Sequence, residues 1–279
     1  MLFRSPSEAL RWYRGSAELG NRFAQYKAGL LLEQGHGTDK NQQEAAKYYE
    51  AAAHQGEALA ALRLGEMSLT GSGVEQSAPR ARSLFEGAAQ QGNIQAAYRL
   101  GQLLLSATGG AADHKNGIGW LLVAAHDGHA LAQTALARAI LDGDGGGFDR
   151  SLAKEWFLEA AERGNTAAQH ELSNLMSSQG ASEQGHRWRM KSAKAGYIPA
   201  QIAVAELCQQ TQPDGSCAAY WYTEAANGGN AYSQYQMGRL SETGHGVPRD
   251  LDEARRWYAL AAERDMIAAK QRLRALGGI

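Results

Sequence analysis

Cysteine is nearly absent: the 279 residues contain two, Cys208 and Cys217. That excludes a disulfide-dense scaffold. Only 5 prolines rule out a collagen-like or proline-rich chain. No run approaches about 18 uninterrupted apolar residues, so no transmembrane helix is expected. The N-terminus, Met1 to Glu8, lacks the apolar stretch of a signal peptide. Either the protein stays in the cytosol, or a leader has been removed and Met1 is an added start. Charge of one sign is missing too. Lys and Arg number 28 against 29 Asp and Glu, a net charge of −1. This balance argues against coating nucleic acid, against a polybasic membrane arm and against an acidic tail.

What is abundant is alanine, 51 residues, and glycine, 33 residues. High Ala with low Pro favours helices. Glycine inside a helix costs roughly 1 kcal/mol, so most of it should lie between helices. The segment Ala51-Ala52-Ala53-His54-Gln55-Gly56 returns as Ala88-Ala89-Gln90-Gln91-Gly92, Ala124-Ala125-His126-Asp127-Gly128 and Ala160-Ala161-Glu162-Arg163-Gly164. Aligned on the final glycine, the series is Gly20, Gly56, Gly92, Gly128, Gly164, Gly196 and Gly229, with Asp265 in the next slot. A repeat this regular predicts a solenoid.

Each unit has two helical halves. One carries an aromatic pair or its equivalent: Trp12-Tyr13, Tyr48-Tyr49, Leu84-Phe85, Trp120-Leu121, Trp156-Phe157, Trp188 alone, Trp221-Tyr222 and Trp257-Tyr258. The other reads like Ala60-Ala61-Leu62-Arg63-Leu64-Gly65 or Ser233-Gln234-Tyr235-Gln236-Met237-Gly238. There the glycine is expected at a close helix crossing. Between the halves lie turns such as Gly35-His36-Gly37, Gly71-Ser72-Gly73, Gly143-Asp144-Gly145 and Gly244-His245-Gly246. A phosphate loop would need a preceding strand and a following Lys and Ser or Thr. Here helices precede, and the glycines read as helix ends.

The pattern Ala-x-x-x-Leu-Gly, Gly-x-Gly-Val, then Asp-x-x-x-Ala-x-x-Trp-Tyr-x-x-Ala-Ala resembles the Sel1-like repeat, a relative of the tetratricopeptide repeat. Gly238, Gly244, Gly246-Val247, Asp250, Ala254, Trp257-Tyr258 and Ala261-Ala262 carry it almost in full. The resemblance implies an all-α, right-handed superhelical solenoid of helix-turn-helix repeats forming a single domain over 1–279. The expected divisions are a partial first repeat (6–20), repeats 22–56, 58–92, 94–128, 130–164, 166–196, 198–229 and 231–265, and a closing helix 267–277. Repeats 166–196 and 198–229 depart from the pattern at their turns. The missing first half suggests either sequence removed upstream or another element covering that end.

Chemistry is sparse. His126 and His129 lack metal-ligand spacing and read as surface histidines. No Gly-x-Ser-x-Gly elbow appears. Asp250, Asp252 and Glu253 stand at a helix start, where they suit the positive end of the dipole. We therefore expect no catalytic residue, metal or cofactor. Cys208 and Cys217 flank the atypical turn holding Pro213 and Asp214-Gly215. A bridge across a helical hairpin is sterically open to them, since a disulfide needs Cα atoms ~4.4–6.8 Å apart. Two free thiols are the alternative. A bridge would imply the periplasm or exterior; without one the cytoplasm is the expectation.

In such a solenoid the Leu-Gly helices line the concave side. Three residues before and one after each crossing glycine, the expected protein-binding positions are Tyr26, Glu66, Tyr98, Gln102, Arg138, His170, Asn174, Glu206, Tyr235 and Arg239. Aromatics and Arg are typical interface anchors. The resemblance also implies roles. Some Sel1-like proteins assemble envelope systems for exopolysaccharide export or secretion. Others are immunity proteins that neutralise phospholipase effectors of type VI secretion, commonly in the periplasm. Others are cytosolic regulators. A bacterial protein-binding scaffold of the immunity kind, with a lipase-type effector as partner, is the leading expectation. An envelope assembly adaptor is the alternative, and a hydrolytic enzyme is the competing class.

Overall fold

The structure, a computed structural model, describes residues 5–143, 147 and 149–277. Among them are sixteen helices and no strand. In order they are α1 (Pro6–Glu18), α2 (Arg22–Gln34), α3 (Gln42–His54), α4 (Ala58–Thr70), α5 (Ala78–Gln90), α6 (Ile94–Leu105), α7 (His114–His126), α8 (Ala130–Asp142), α9 (Arg150–Glu162), α10 (Thr166–Ser178), α11 (Ser182–Lys194), α12 (Ile198–Thr211), α13 (Ser216–Asn227), α14 (Ala231–Thr243), α15 (Leu251–Glu263) and α16 (Ile267–Ala275). Odd-numbered helices carry the aromatic pairs and even-numbered helices the Leu-Gly half. Consecutive helices pack as pairs. The chain divides into two compact units, Met1–Trp156 and Phe157–Ile279, the boundary falling within α9.

The turn from odd to even helix is made by glycine. Gly20, Gly56, Gly92, Gly128, Gly164, Gly196 and Gly229 all have φ of 80–89°, a conformation that costs other residues a Cβ clash. The next residue but one starts the following helix, and Asn usually caps it. Asn21, Asn93, Asn165 and Asn230 accept from the backbone N–H three residues on, at 2.8–2.9 Å. The last carbonyls of the odd helix meet a buried glutamine of the even one. Gln25, Gln133, Gln169, Gln201 and Gln234 donate to Ala17, Ala125, Ala161, Ala193 and Ala226 at 3.0–3.2 Å. Each of these carbonyls also accepts from the backbone N–H of the turn glycine, so both of its lone pairs are used.

Within a pair, the glycine of the even helix faces the second aromatic of the odd one. A Cβ at Gly65 would lie 2.5 Å from Phe85 Cε1, and at Gly238 2.6 Å from Tyr258 Cδ1. Tyr49, against Gly29, and Phe85 and Tyr258 are accordingly fully buried. The second glycine of each turn has a separate task. Side chains at Gly37, Gly73, Gly109 and Gly246 would collide with backbone at the starts of α1, α3, α5 and α13. These glycines join one repeat to the previous one. Of the turn after α8, Gly143 is left-handed (φ 91°), while Asp144 and Gly145 lie outside the described residues.

The pair α10–α11 is built differently. Ser173, fully buried, takes the crossing-glycine slot, and Arg189 takes that of the second aromatic. Arg189 donates to the hydroxyls of Ser173 (3.3 Å) and Ser177 (3.4 Å).

Candidate protein-binding face

An even helix buries the side of its crossing glycine against the odd helices. Positions at i, i+4, i+7 and i+11 share one helical face, and the set beginning six residues before the glycine points away from that buried side. On α2 this set is Phe23, Lys27, Leu30 and Gln34. On α4 it is Leu59, Arg63, Glu66 and Thr70; on α8, Leu131, Ala135, Arg138 and Asp142. Phe23, Leu59 and Leu131 are among the most exposed large apolar side chains, at 52%, 44% and 50%. They occupy one equivalent position in three of the four even helices of the first unit. In α6, Gln95 stands there.

The expected positions divide between two settings. Arg138, Asn174, Glu206 and Arg239, one residue after the crossing slot, are exposed, and Glu66 and Gln102 are half-buried. The row three residues before the glycine is turned toward neighbouring helices. Tyr98 is only 7% exposed, which corrects the expectation that it is a free anchor. Its ring lies 4.8 Å from that of His129, in the next repeat. Burial raises its hydroxyl pKa, and Gln102 beside it works against the rise. Tyr26 packs 6.0 Å from Tyr49, Tyr235 5.6 Å from Tyr258 and His170 5.6 Å from Tyr197. The physical reason is rotational. This row is about 60° from the crossing glycine, so it reaches sideways to neighbours rather than outward.

Charges tie the even helices of the first unit together. Glu33 of α2 accepts from Arg63 of α4 at 2.6 Å and from the Tyr49 hydroxyl at 2.6 Å. Arg63 also reaches Glu66 at 3.1 Å, and Glu66 accepts from Arg99 of α6 at 3.3 Å. The second unit repeats the motif at its last pair. Glu242 accepts from the Tyr258 hydroxyl (2.8 Å) and from Arg272 Nε (2.8 Å) of α16. Arg272 and Tyr258 together hold the Glu242 carboxyl below its usual range.

His129 is not a surface histidine, correcting the sequence reading. It caps α8: its Nδ1 accepts from the Ala132 N–H at 3.1 Å, and Nε2 lies 2.8 Å from Gln95 Oε1. The cap requires an unprotonated Nδ1, which leaves the proton on Nε2 to donate to Gln95. Burial lowers the pKa, and nearby Arg99 lowers it further. His126 is exposed, its ring 5.1 Å from Trp156.

Among the described residues, no group of three or more His, Cys, Asp or Glu could hold a metal ion. No described helix is long and apolar enough to cross a membrane. A groove of about 200 Å³ between α3 and α5 is lined by the Glu50–Arg80 ion pair, His54 and Gln91. Cys208 and Cys217 have sulfurs 1.98 Å apart and Cα atoms 5.7 Å apart. Helix α12 continues about one turn past Cys208, to Thr211.

The family model for the Sel1 repeat matches residues 1–21, 22–57, 58–93, 94–129, 130–165, 198–230 and 231–266. A Sel1 repeat protein from Oxalobacter formigenes is similar in structure (TM-score 0.79, 30% identity), over 96% of this chain and 79% of that one. An immunity protein from Pseudomonas aeruginosa shares the fold at TM-score 0.54 and 16% identity, over 75% of this chain and 82% of its own. A chitin synthase regulator, SKT5, from Malassezia restricta is 33% identical over 98 residues, 35% of this chain. The match spans only 6% of that protein's length.

Proposed function

The chain belongs to the Sel1 repeat family, and from that premise we propose that it is a non-enzymatic scaffold that binds another protein on its even-helix face. One observation carries this reading. Phe23, Leu59 and Leu131 are large, apolar and exposed at the same position in three of the four repeats of the first unit. Internal packing does not use them there, and exposed apolar residues grouped on one face mark interaction sites. Arg138 in the first unit and Arg239 in the second, each exposed on its own even helix, add the residue type enriched at interface hot spots. Tyr98, His170, Tyr26 and Tyr235 support that surface from the side.

Within this function we propose the immunity role: binding and neutralising a secreted effector of the phospholipase type. Its support is the shared fold with two immunity proteins from Pseudomonas aeruginosa and the roles known among Sel1-like proteins. This rests on analogy of fold rather than on a residue. A disulfide between Cys208 and Cys217 would place the protein in an oxidising compartment such as the periplasm.

The test is cross-linked capture of partners by the full chain in a bacterial host, followed by mass spectrometry. Each captured protein is then retested against Leu59→Ser and Arg138→Glu chains. A specific protein lost by both variants, and a lipase-type effector among the captured set, is expected. Capture of none, or of partners indifferent to both substitutions, rejects the even-helix face.

A further inference from the structure

The first aromatic of each odd helix occupies one repeated slot. Trp12, Tyr48, Trp120, Trp156, Trp188, Trp221 and Trp257 fill it, and Leu84 of α5 alone puts no ring there. Two filled slots show what the position holds. Trp156 is only 8% exposed and meets the His126 ring edge-on, 5.1 Å between centroids. Trp221 is only 7% exposed, in a cluster with Ala193 and Val204. At Leu84 the corresponding space is the groove of about 200 Å³ between α3 and α5. In its lining, His54 stands for His126, Ala53 for Ala193 and Leu64 for Val204.

Two further truncations open this groove. Gly87 stands where α9 has Glu159, and a Cβ on it would meet nothing within 4 Å. Ala61 of α4 stands where Gln133, Gln169, Gln201 and Gln234 bond back to a helix-end alanine carbonyl. Ala61 has no side-chain donor, so the Ala53 carbonyl, bonded to the Gly56 N–H at 2.9 Å, lacks the glutamine bond its counterparts receive. Ala125, Ala161, Ala193 and Ala226 are buried, whereas Ala53 is half-buried. Ala97 repeats the loss of glutamine in α6, but there the ring, Trp120, is present. Only the α3–α5 groove combines both losses.

The groove therefore has room for an aromatic ring and a carbonyl that an N–H can reach. Indole supplies both. At the mouth, Glu50 and Arg80 neutralise each other, which favours a neutral occupant. About 200 Å³ falls short of the roughly 300–1,000 Å³ of small-molecule pockets. It suits one large side chain, and tryptophan is among the residues most enriched as interface anchors. We propose that the groove between α3 and α5 takes the side chain of a tryptophan presented by a protein partner. The ring packs against His54 and Leu64, as Trp156 and Trp221 pack in their own repeats, and its N–H donates to the Ala53 carbonyl. This surface goes beyond the even-helix face and uses none of Phe23, Leu59 and Leu131.

The experiment uses the full chain and the peptide acetyl-Gly-Gly-Trp-Gly-Gly-amide, observed by saturation-transfer NMR. Transfer to the indole protons, saturating at millimolar peptide, is expected. The peptide with Leu in place of Trp should show none. One with 1-methyltryptophan, which lacks the N–H, should bind several-fold more weakly. Leu84→Trp supplies the ring from within. It should abolish transfer and raise the melting temperature by a few degrees, because it buries apolar surface in space already present. Ala61→Gln, which returns the donor to the Ala53 carbonyl, should weaken binding several-fold. Leu59→Ser should leave it unchanged. No transfer from the parent chain, undiminished transfer from Leu84→Trp, or a fall in that variant's melting temperature overturns the proposal. So does binding of free tryptophan without binding of the peptide, which would make the groove a small-molecule site. If the peptide fails while captured partners still depend on Leu59, this inference alone falls. If the peptide binds and no captured partner depends on Leu59, the even-helix face falls and the groove stands.

Discussion

The rings of Tyr98 and His129 lie 4.8 Å apart, tilted by 36°, and join α6 to the start of α8. Tyr98 is therefore a packing residue between repeats. Replacing a buried aromatic by Ala typically costs about 3 kcal/mol or more. Tyr98→Ala should lower the urea midpoint clearly, whereas Leu59→Ser should leave it nearly unchanged. Equal small effects would return Tyr98 to the exposed face.

His129 couples stability to pH. Its folded pKa is lowered, mainly by burial, so the unfolded chain binds the proton more readily. The stabilising contribution is complete above the ordinary histidine value of about 6.5 and is lost as pH falls through the lower folded value. Protonation at Nδ1 also removes the acceptor for the Ala132 N–H. Asn fills the equivalent cap at Asn93 and Asn165. His129→Asn should keep the cap and flatten the fall of melting temperature below about pH 6.5. An unchanged slope would assign that dependence to other groups.

Ala107 has φ 56°, in the turn slot where Gly35, Gly71 and Gly244 stand. A left-handed conformation costs a non-glycine residue roughly 1 kcal/mol. Ala107→Gly should therefore stabilise by up to about 1 kcal/mol. The mirror change Gly71→Ala should destabilise by a similar amount. Denaturant midpoints of the two variants moving the same way would contradict this.

Cys208 at the end of α12 and Cys217 at the start of α13 form a disulfide, with nine residues of sequence separation. Closing a loop this short stabilises by about 2–3 kcal/mol in the chain-entropy picture. Protein made under oxidising conditions, denatured without reductant, should show no free thiol, and reduction should lower its melting temperature. Two titratable thiols in such material would remove the argument for an oxidising compartment.

Much of the architecture is legible in the chain itself. The glycine series from Gly20 to Gly229 sets the period because only a residue without Cβ takes φ near 85° freely at each odd-to-even turn. The aromatic pairs and the Leu-Gly motifs set which helix packs on which, because a ring needs the space a glycine leaves. Sequence spacing also placed Arg138 and Arg239 on an exposed face. Tertiary structure alone decided how far round each even helix that face extends. Periodicity fixes the angle of Tyr98 relative to Gly101, but not that α8 lies at that angle with His129 waiting. The same holds for Gly37 and Gly246, whose partners at Pro6 and Gly215 are distant in sequence. It holds for Phe23, Leu59 and Leu131, which as isolated apolar residues read like core. Their exposure follows from what packs around them, and a linear pattern does not contain the position of a neighbour.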